Sequence, residues 1–372
     1  MSNRLRALLG AGQSVWLDFI DRRMLLDGSL QRLIRDDGLR GMTSNPTIFE
    51  KALAESTAYD AQISGAPAGA LPAEVFELVE TDDVRHACDI FADVYRESGG
   101  DDGYVSIEVS PGVADDAGST VAEARRLWQT VSRPNVMVKV PGTAEGAKAV
   151  QQLIADGINV NITLLFAIAA HDRVIESYLS GLETRVSAGH PISQIASVAS
   201  FFVSRVDTAI DKRLDAVTAA DPGAAALKGQ AAVANARLAY RLFTQRFSGP
   251  RWERLKALGA RVQRPLWAST GAKNPAYRDV LYVEALIGPH TVNTMPPATV
   301  DAFRDHGETA RTVDQGWAEA EALMTRLAAK GVRMDEVTDT LLVDGLASFQ
   351  KSFESLVGGI ERKMSALGAT AR

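Results

Sequence analysis

The feature that most constrains this chain is a strand and helix pattern that recurs along almost its whole length. Eight short runs of β-branched and apolar residues are predicted to be buried strands. Most are separated by segments of helix length in which apolar residues recur at intervals of three and four. This alternation predicts parallel strands joined by right-handed helical crossovers. The predicted strands begin at Ser14, Leu39, Tyr104, Asn135, Ile158, Ser197, Arg264 and Thr291.

The two faces of the predicted strands differ in polarity. In NVMVKV, Val136, Val138 and Val140 share one face, and Lys139 lies on the other face with Asn135. A doubly wound sheet is covered by helices on both faces and needs two apolar faces, whereas only one face of a barrel meets helices. We therefore predict an α/β fold of the (β/α)8-barrel, or TIM-barrel, type.

The same alternation groups polar residues near the ends of several strands. It places Asp18 with Trp16 and Asn45 with Thr43, and it puts Glu108 on the face that carries Ser106 and Tyr104. The carboxyl ends of the strands and the loops that follow them form the active site of such barrels. We therefore expect one polar site at that mouth.

The whole chain, residues 1–372, is predicted to be one barrel domain. Residues 298–372 show helical periodicity without strands and are predicted to be a C-terminal helical extension packed on the barrel. Two stretches rich in small residues, 56–71 and 218–230, are expected to be excursions from the repeat; the first reads as a mobile connection. The apolar segment 341–353 is a candidate cover for the mouth that would exclude water.

Composition and motifs exclude several classes of protein. A net charge of -6 leaves no basic surplus for nucleic acid. No segment approaches the roughly 18 to 20 apolar residues of a membrane span. A single cysteine, Cys88, suits a reducing cytoplasm. The histidines lack metal-ligand spacing and PGTAEGAK lacks the nucleotide-loop pattern. We expect a cytoplasmic protein, monomeric or homodimeric, that needs no metal or cofactor.

Lys139 is the most informative candidate for chemistry. Burying a charged ammonium is costly, and a buried lysine held as a neutral amine is a nucleophile that forms Schiff bases with ketones. Asp18 and Glu108 are acids in otherwise apolar strands and could move protons beside it. The alternatives are a lysine that reaches solvent at the strand end, and two carboxylates that neutralise it for structural reasons.

Uncharged polar groups and two cations complete the candidate site. Asn45, Asn161 and Thr163 could hold substrate hydroxyls or a water, or could satisfy one another in the core. Arg205 and Lys273 follow the sixth and seventh strands, the side of a barrel mouth that often binds phosphate, and Ser200 precedes Arg205. Taken singly, each cation is more often a surface charge.

Seven blocks of this sequence are distinctive and occur in a fixed order: SNPTIFEKA, GYVSIEVSP, MVKVPGTAEG, INVNITLLF, SFFVSRVD, ASTGAKNPAY and TVNTMPP. Together they resemble the transaldolase family in its longer bacterial subfamily, and the resemblance runs from about Ser14 to the end of the chain. It implies a Schiff-base enzyme that transfers dihydroxyacetone between sugar phosphates.

The resemblance also implies roles for the candidate residues. Lys139 matches the Schiff-base lysine and Asp18 the general acid and base at the C4 hydroxyl of the ketose. Glu108 and Thr163 match the pair that positions a catalytic water. Further matches concern binding: the dihydroxyacetone hydroxyls for Asn45 and Asn161, the phosphate for Ser200 and Arg205, and the acceptor site for Phe202.

Two positions bear on which member of the family this is. The shorter fructose 6-phosphate aldolases look to have tyrosine where this chain has Phe202, so that residue and the greater length imply transfer rather than simple aldol cleavage. Better-known transaldolases have arginine where this chain has Lys273, which as a point charge implies weaker geometric selection of phosphate. The rival readings are a class I aldolase that releases its product and a catalytically silent barrel kept as a scaffold.

Overall fold

The computed structural model describes residues 3–218 and 221–368. Eight parallel strands pair in sequence order, and the last pairs with the first to close a barrel. The predicted barrel and all eight predicted strands are confirmed. The strands are β1 (Gln13–Asp18), β2 (Gly41–Thr43), β3 (Tyr104–Glu108), β4 (Val136–Pro141), β5 (Val160–Leu165), β6 (Ser197–Phe202), β7 (Arg264–Ala268) and β8 (Thr291–Met295).

Helices surround the barrel, and three of them follow the last strand. Within the described residues there are seventeen α-helices. They are α1 (Arg4–Gly10), α2 (Arg22–Leu26), α3 (Ser29–Arg32), α4 (Pro46–Glu55), α5 (Asp60–Ser64), α6 (Pro72–Ile90), α7 (Ala92–Glu97), α8 (Ala117–Val131), α9 (Ala144–Asp156), α10 (Ile168–Ser187), α11 (Ser204–Thr218), α12 (Ala231–Arg246), α13 (Gly249–Ala257), α14 (Leu281–Glu284), α15 (Pro297–His306), α16 (Trp317–Ala329) and α17 (Met334–Ala366).

Helix α9 shows how the local sequence sets one repeat of the barrel. Thr143 caps its start by accepting a hydrogen bond from the Gly146 amide at 2.8 Å, and Gly157 ends it in the left-handed conformation. Between them, Leu153 and Ile154 are fully buried. Burial of each such side chain contributes about 1.5 to 3 kcal/mol. The helix that follows it, α10, comes so close at Gly181 that a Cβ there would lie 2.7 Å from a backbone oxygen of α9.

Large side chains fill the barrel interior near the strand beginnings. Trp16 is fully buried, and its ring centroid lies 6.3 Å from that of Tyr104. Gly41 pairs with Trp16 in the sheet, and a Cβ at Gly41 would lie 2.6 Å from the indole. The missing side chain therefore makes room for the tryptophan.

Two residues that the alternation placed on the polar face lie elsewhere. Asn45 is not part of β2, which ends at Thr43; it caps the start of α4 instead. Asn135 precedes β4 and donates hydrogen bonds to the carbonyls of Cys88 and Gly103 at 2.9 and 2.8 Å. Both expectations assumed that the strands extend further than they do. Asn135 therefore braces a neighbouring helix and loop and does not face the interior with Lys139.

The C-terminal extension begins later than predicted. Helix α15 lies inside the predicted extension of residues 298–372, but it packs against β1, β8 and α1 and so completes the ring of barrel helices. Helix α16 packs on α12, and α17 crosses α4, α6, α11 and the end of β5. The extension is therefore α16 and α17. Of its predicted span, residues 369–372 lie outside the described residues.

The two predicted excursions are compact. Residues 56–71 contain α5 and bury Tyr59 and Ile63 completely, so this segment is anchored to the core and the expectation of a mobile connection was wrong. The excursion at 218–230 contains a short 3₁₀ helix, Pro222–Leu227, and its residues 219–220 lie outside the described part of the chain. Across residues 3–218 and 221–368, no helix combines the length and the apolar character that crossing a membrane requires.

Candidate active site

Lys139 lies inside the barrel on β4, between polar residues of the two adjacent strands. The sheet register pairs it with Glu108 on β3 and with Asn161 on β5. Only 5% of Lys139 is exposed, and its Nζ donates hydrogen bonds to Glu108 Oε2 at 3.1 Å and to the Ser44 carbonyl at 2.9 Å. The lysine therefore does not reach bulk solvent, which removes one of the two alternatives left open by the sequence.

Glu108 is a partly satisfied carboxylate. Its Oε2 accepts from Lys139, whereas Oε1 is buried and has no hydrogen-bond partner among the described residues. Burial raises the pKa of Glu108 above its ordinary value, and the positive charge of Lys139 opposes that rise. A carboxyl group with a raised pKa and a free acceptor atom is suited to take up and release a proton beside the amine.

Asp18 ends β1 at the same mouth. It accepts a hydrogen bond from the Thr43 hydroxyl at 2.7 Å, and the register pairs these two residues. Burial raises the pKa of Asp18, and the charge of Lys139 is the strongest of the influences that oppose this rise. Two carboxyl groups with raised pKa values, Asp18 on β1 and Glu108 on β3, therefore accompany Lys139 at the mouth.

A chain of hydrogen bonds holds Asn161 inside the barrel. Its Nδ2 donates to Ser106 Oγ at 3.0 Å, and its Oδ1 accepts from the Ser200 hydroxyl at 2.7 Å. Asn161 is fully buried and Ser200 is 2% exposed. The amide is therefore fixed in orientation next to Lys139, and Ser200 acts here as the group that orients it.

Thr163 follows Asn161 on the interior face of β5, at an irregularity in the strand. The register between β5 and β6 shifts between Ile162 and Leu165, and Leu164 has a left-handed backbone with φ of 58°. The bulge ends regular pairing just after Thr163. It also turns Leu164 toward α17, where a Cβ at Gly345 would lie 3.0 Å from the leucine side chain.

Asn45 and Ser44 form the turn that joins β2 to α4. The Asn45 side chain accepts from the Ile48 amide at 3.1 Å, which caps the helix and leaves its NH₂ group free of partners among the described residues. The Ser44 hydroxyl donates to the Ser106 carbonyl at 2.9 Å. This bond fixes Ser44, whose own carbonyl accepts a hydrogen bond from Lys139. The cap therefore presents the Asn45 amide group at the mouth.

Two cations on the far side of the mouth have no acidic partner. Neither Arg205, at the start of α11, nor Lys273, in the loop after β7, forms an ion pair or side-chain hydrogen bond within residues 3–218 and 221–368. The guanidinium of Arg205 lies over the Phe202 ring at 5.2 Å. Both cations act on Asp18, whose pKa they lower. Unpaired positive charge at this position is suited to an anionic ligand.

All ten predicted site residues therefore lie at one end of the barrel, but they differ in exposure. Lys139, Glu108, Asn161, Thr163 and Ser200 are buried in its wall, and Lys273 is exposed. Phe202 is also buried, and Asp18, Asn45 and Arg205 are intermediate in exposure. The arrangement combines a buried amine, two carboxyls and a pair of free cations, which suits covalent chemistry on a phosphorylated carbonyl compound.

Sequence reasoning missed three supporting residues. Ser44 and Thr43 hold Lys139 and Asp18, and their signal is the SNP turn that follows a strand in MTSNP. Glu80 on α6 is 5% exposed, although glutamate is seldom buried. Its signal was available, because it lies four residues after Phe76 and four before Val84 on an apolar helix face.

The chain is similar to known proteins along almost its whole length. The family model described as transaldolase/fructose-6-phosphate aldolase matches residues 15–360. A protein named transaldolase from Mycolicibacterium smegmatis is 48% identical over 97% of this chain and 98% of its own length. A transaldolase 2 from Nostoc sp. is 46% identical over 98% of each chain, and a transaldolase from Frankia alni is 46% identical over 99% of each. The chain belongs to the transaldolase/fructose-6-phosphate aldolase family.

Proposed function

We propose that this protein is a transaldolase of the pentose phosphate pathway. It takes a dihydroxyacetone unit from sedoheptulose 7-phosphate or fructose 6-phosphate and gives it to glyceraldehyde 3-phosphate or erythrose 4-phosphate. One observation carries the proposal: Lys139 is buried in the barrel wall, 3.1 Å from a carboxylate and one strand from a fixed amide. The full-length similarity to proteins named transaldolase supports it.

The first step is attack of the Lys139 amine on the C2 carbonyl of the donor. The carbinolamine loses water to form an iminium ion, and this loss needs a proton on the departing hydroxyl. Glu108 supplies that proton, with a water held between it and the Thr163 hydroxyl. The raised pKa of Glu108 supports this role, because a more basic carboxylate is protonated closer to neutral pH.

The second step breaks the bond between C3 and C4 of the donor. Asp18 removes the proton from the C4 hydroxyl, the aldose phosphate leaves, and the electron pair is held as an enamine on Lys139. The raised pKa of Asp18 makes it a stronger base than an exposed aspartate. The same residue returns the proton when the enamine attacks the acceptor aldehyde.

Binding of the sugar phosphates is divided between the two sides of the mouth. Arg205 and Lys273 bind the phosphate, since both are cations without acidic partners in the described residues. Asn45 and Asn161 bind the hydroxyls of the dihydroxyacetone unit, and Ser200 fixes Asn161 through its 2.7 Å hydrogen bond. This division would place the reacting carbonyl at Lys139.

Phe202 favours transfer to an acceptor over release of free dihydroxyacetone. Its ring packs on Phe166, with 5.2 Å between centroids, and it has no hydroxyl that could place a proton or a water near the enamine. An aldolase of the same mechanism must protonate that enamine. The ratio of transferred to released dihydroxyacetone therefore distinguishes the two activities, and we expect transfer to exceed release by at least about tenfold.

Helix α17 is proposed to cover the mouth and exclude water. Its Gly345 lies against Leu164, and Thr47 on α4 donates to Ser352 at 2.8 Å. Truncation before Asp344 should lower kcat by about tenfold or more, because water would reach the reaction centre. An unchanged kcat in a truncated protein that remains folded would contradict this role.

The mechanism is tested by trapping. The protein is incubated with fructose 6-phosphate and borohydride, which reduces a Schiff base to a permanent adduct, and its peptides are analysed by mass spectrometry. We expect a dihydroxyacetone adduct on Lys139 that is depleted when glyceraldehyde 3-phosphate is added before the borohydride. The exposed Lys148 serves as the internal control. Absence of an adduct on Lys139 would overturn the Schiff-base mechanism.

A further inference from the structure

A cavity separate from the barrel mouth reaches the candidate site from the helix side of the barrel. It has a volume of about 210 Å³ and lies between α6, α8 and the end of β3. Its lining runs from the exposed Glu74 and Arg126 at the outside to the buried Glu80 and Glu108 inside. A cavity of this size, lined by several carboxyl groups, has room for several water molecules. It offers Glu108 a route to solvent that does not pass through the mouth.

Glu80 is the unexplained residue in this cavity. It is 5% exposed, lines the cavity, and has no hydrogen-bond or ion-pair partner among residues 3–218 and 221–368. Glu123 in the same lining accepts from the Ser110 amide and hydroxyl, both at 2.8 Å, and Glu77 pairs with Arg126. Of these three glutamates only Glu80 is buried without a protein partner in the described part of the chain, and its carboxyl group lines the cavity.

The groups around Glu80 favour its protonated form. On its own helix it meets Glu77, with Glu74 further out; β3 contributes Glu108, and α8 contributes Glu123 and Arg126. Helix α17 contributes only the uncharged Phe353 to this lining. Burial raises the pKa of Glu80 well above its ordinary value, the charges of Glu108, Glu77 and Glu123 raise it further, and Lys139 lowers it. Burial and these negative charges therefore favour the protonated form of Glu80, whereas Lys139, 3.1 Å from Glu108, favours the ionised form of Glu108.

We propose that Glu80 is the second member of a proton relay that supplies Glu108 through the water in this cavity. The inference rests on the proposed function, because it concerns the carbinolamine step at Lys139. Glu80 does not touch the substrate and acts only through Glu108.

The relay balances as follows. When the carbinolamine loses water, its C–O bond breaks, the nitrogen lone pair forms the C=N bond, and the hydroxyl leaves with a proton from Glu108. Glu108 regains a proton from Glu80 through the cavity water, and Glu80 regains one from solvent. Hydrolysis of the iminium ion runs these transfers in reverse. The mouth can therefore stay closed over the sugar while protons are exchanged at the side.

The test compares Glu80→Gln with Glu77→Gln, which removes a carboxylate from the same helix and cavity but not from the relay. Glu80→Gln should lower kcat by about tenfold with KM unchanged, and Glu77→Gln should stay within about twofold of wild type. The wild-type kcat should fall on the alkaline side as Glu80 loses its proton, and Glu80→Gln should lack this limb. An unchanged rate and pH profile in Glu80→Gln would overturn the proposal.

Chemical rescue separates a relay from a structural role. In Glu80→Ala, added formate can enter the cavity and should restore kcat toward wild type, whereas it should not affect Glu77→Ala. A slow Glu80→Ala protein that formate does not restore would overturn the relay. If both Glu80 variants fail to fold, the wild type still decides, because a linear dependence of kcat on solvent deuterium fraction would exclude transfer of several protons.

Borohydride trapping keeps this proposal distinguishable from the proposed function. If the relay fails, wild-type protein still forms the Lys139 adduct, and the Glu80 variants form it at the wild-type rate. If the proposed function fails, wild-type protein forms no adduct at all. The relay is supported if wild-type protein forms the adduct and Glu80→Gln forms it about tenfold more slowly, to the same final yield.

Discussion

Both ends of the barrel interior contain charged residues, but at one end these residues have hydrogen-bond partners and at the other several do not. At the beginning of the strands, Arg264 donates to Asp102 Oδ1 at 3.1 Å, to Ser14 Oγ at 2.6 Å and to the Thr291 carbonyl at 2.8 Å. The other Asp102 oxygen accepts from Ser14 at 2.6 Å. Every oxygen of this carboxylate therefore has a donor.

The mouth lacks this completeness. Glu108 Oε1 has no partner in the described residues, Lys139 has two acceptors for its ammonium protons, and Arg205 and Lys273 have no acid. The difference distinguishes charged groups that stabilise the fold from charged groups that are available to bind a ligand. A complete network stabilises the fold, whereas groups left without partners hold hydrogen-bonding capacity in reserve for the substrate at a cost in stability.

Replacement of Lys139 should abolish activity with little effect on the stability of the barrel. Lys139→Met removes the nucleophile and should lower kcat by about 10⁴-fold or more. Stability should change little, because the raised pKa of Glu108 lets this carboxyl take up a proton once the cation is gone. Transfer kinetics and thermal unfolding measure both effects. Lys148→Met, at a surface lysine paired with Glu145, is the matched control and should remain fully active.

Replacement of Arg264 should do the reverse. Arg264→Leu leaves Asp102 buried with its charge uncompensated and should lower the free energy of unfolding by about 3 to 5 kcal/mol. The kcat of the folded fraction should remain within about twofold of wild type. Denaturant unfolding measures the loss. The surface pair of Arg125 and Asp156 supplies the control, and Arg125→Leu should cost about 0 to 1 kcal/mol. Equal stability losses in both variants would contradict the comparison.

Asp18→Asn should trade activity for stability. Loss of the general base should lower kcat by about 10²-fold or more. Burial raises the pKa of Asp18 above its ordinary 3.8, so the folded state keeps a proton that the unfolded chain releases. Stability contributed by this group is therefore lost as pH rises above 3.8 through the raised value. Relative to wild type, Asp18→Asn should be more stable at pH 7 and indistinguishable at pH 3, as unfolding curves at both pH values would show.

Lys273 should give the smallest effect, because it is exposed. Lys273→Ala should raise KM for fructose 6-phosphate by about tenfold with little change in kcat, since the phosphate binds equally in the ground and transition states. Lys273→Arg should restore the wild-type KM or lower it, because the guanidinium fork can bind phosphate at two points. Unphosphorylated fructose is the control donor. A KM change of equal size for both donors would place Lys273 outside the phosphate site.

The sequence alone was sufficient for the barrel and for the face on which Lys139 lies. Both follow from a two-residue alternation that depends on neighbouring positions, and β4 keeps it over Val136–Pro141. The alternation gave wrong positions for Asn45, which follows the end of β2, and for Asn135, which precedes the start of β4. A strand ends where pairing with its neighbours ends, and one neighbour of β2, strand β3, is about 60 residues away along the chain.

Glu80 is a further residue whose surroundings could not be predicted from the sequence. On the sequence it was one acid in an amphipathic helix, and its position on the apolar face was visible without a reason for it. Only the packing of α6 against β3 and α8 brings it to the cavity that also touches Glu108.

What the sequence determined by itself is therefore the periodic part of this protein: eight strands, their two faces, and the residue types that each face presents. What only the tertiary structure decided is which of those polar groups find partners. Asp102 is fully satisfied and Glu108 is not, although both are acids beside strand β3. The physical reason is that satisfaction depends on hydrogen-bonding distances between atoms from distant parts of the chain, which are fixed only when the barrel closes.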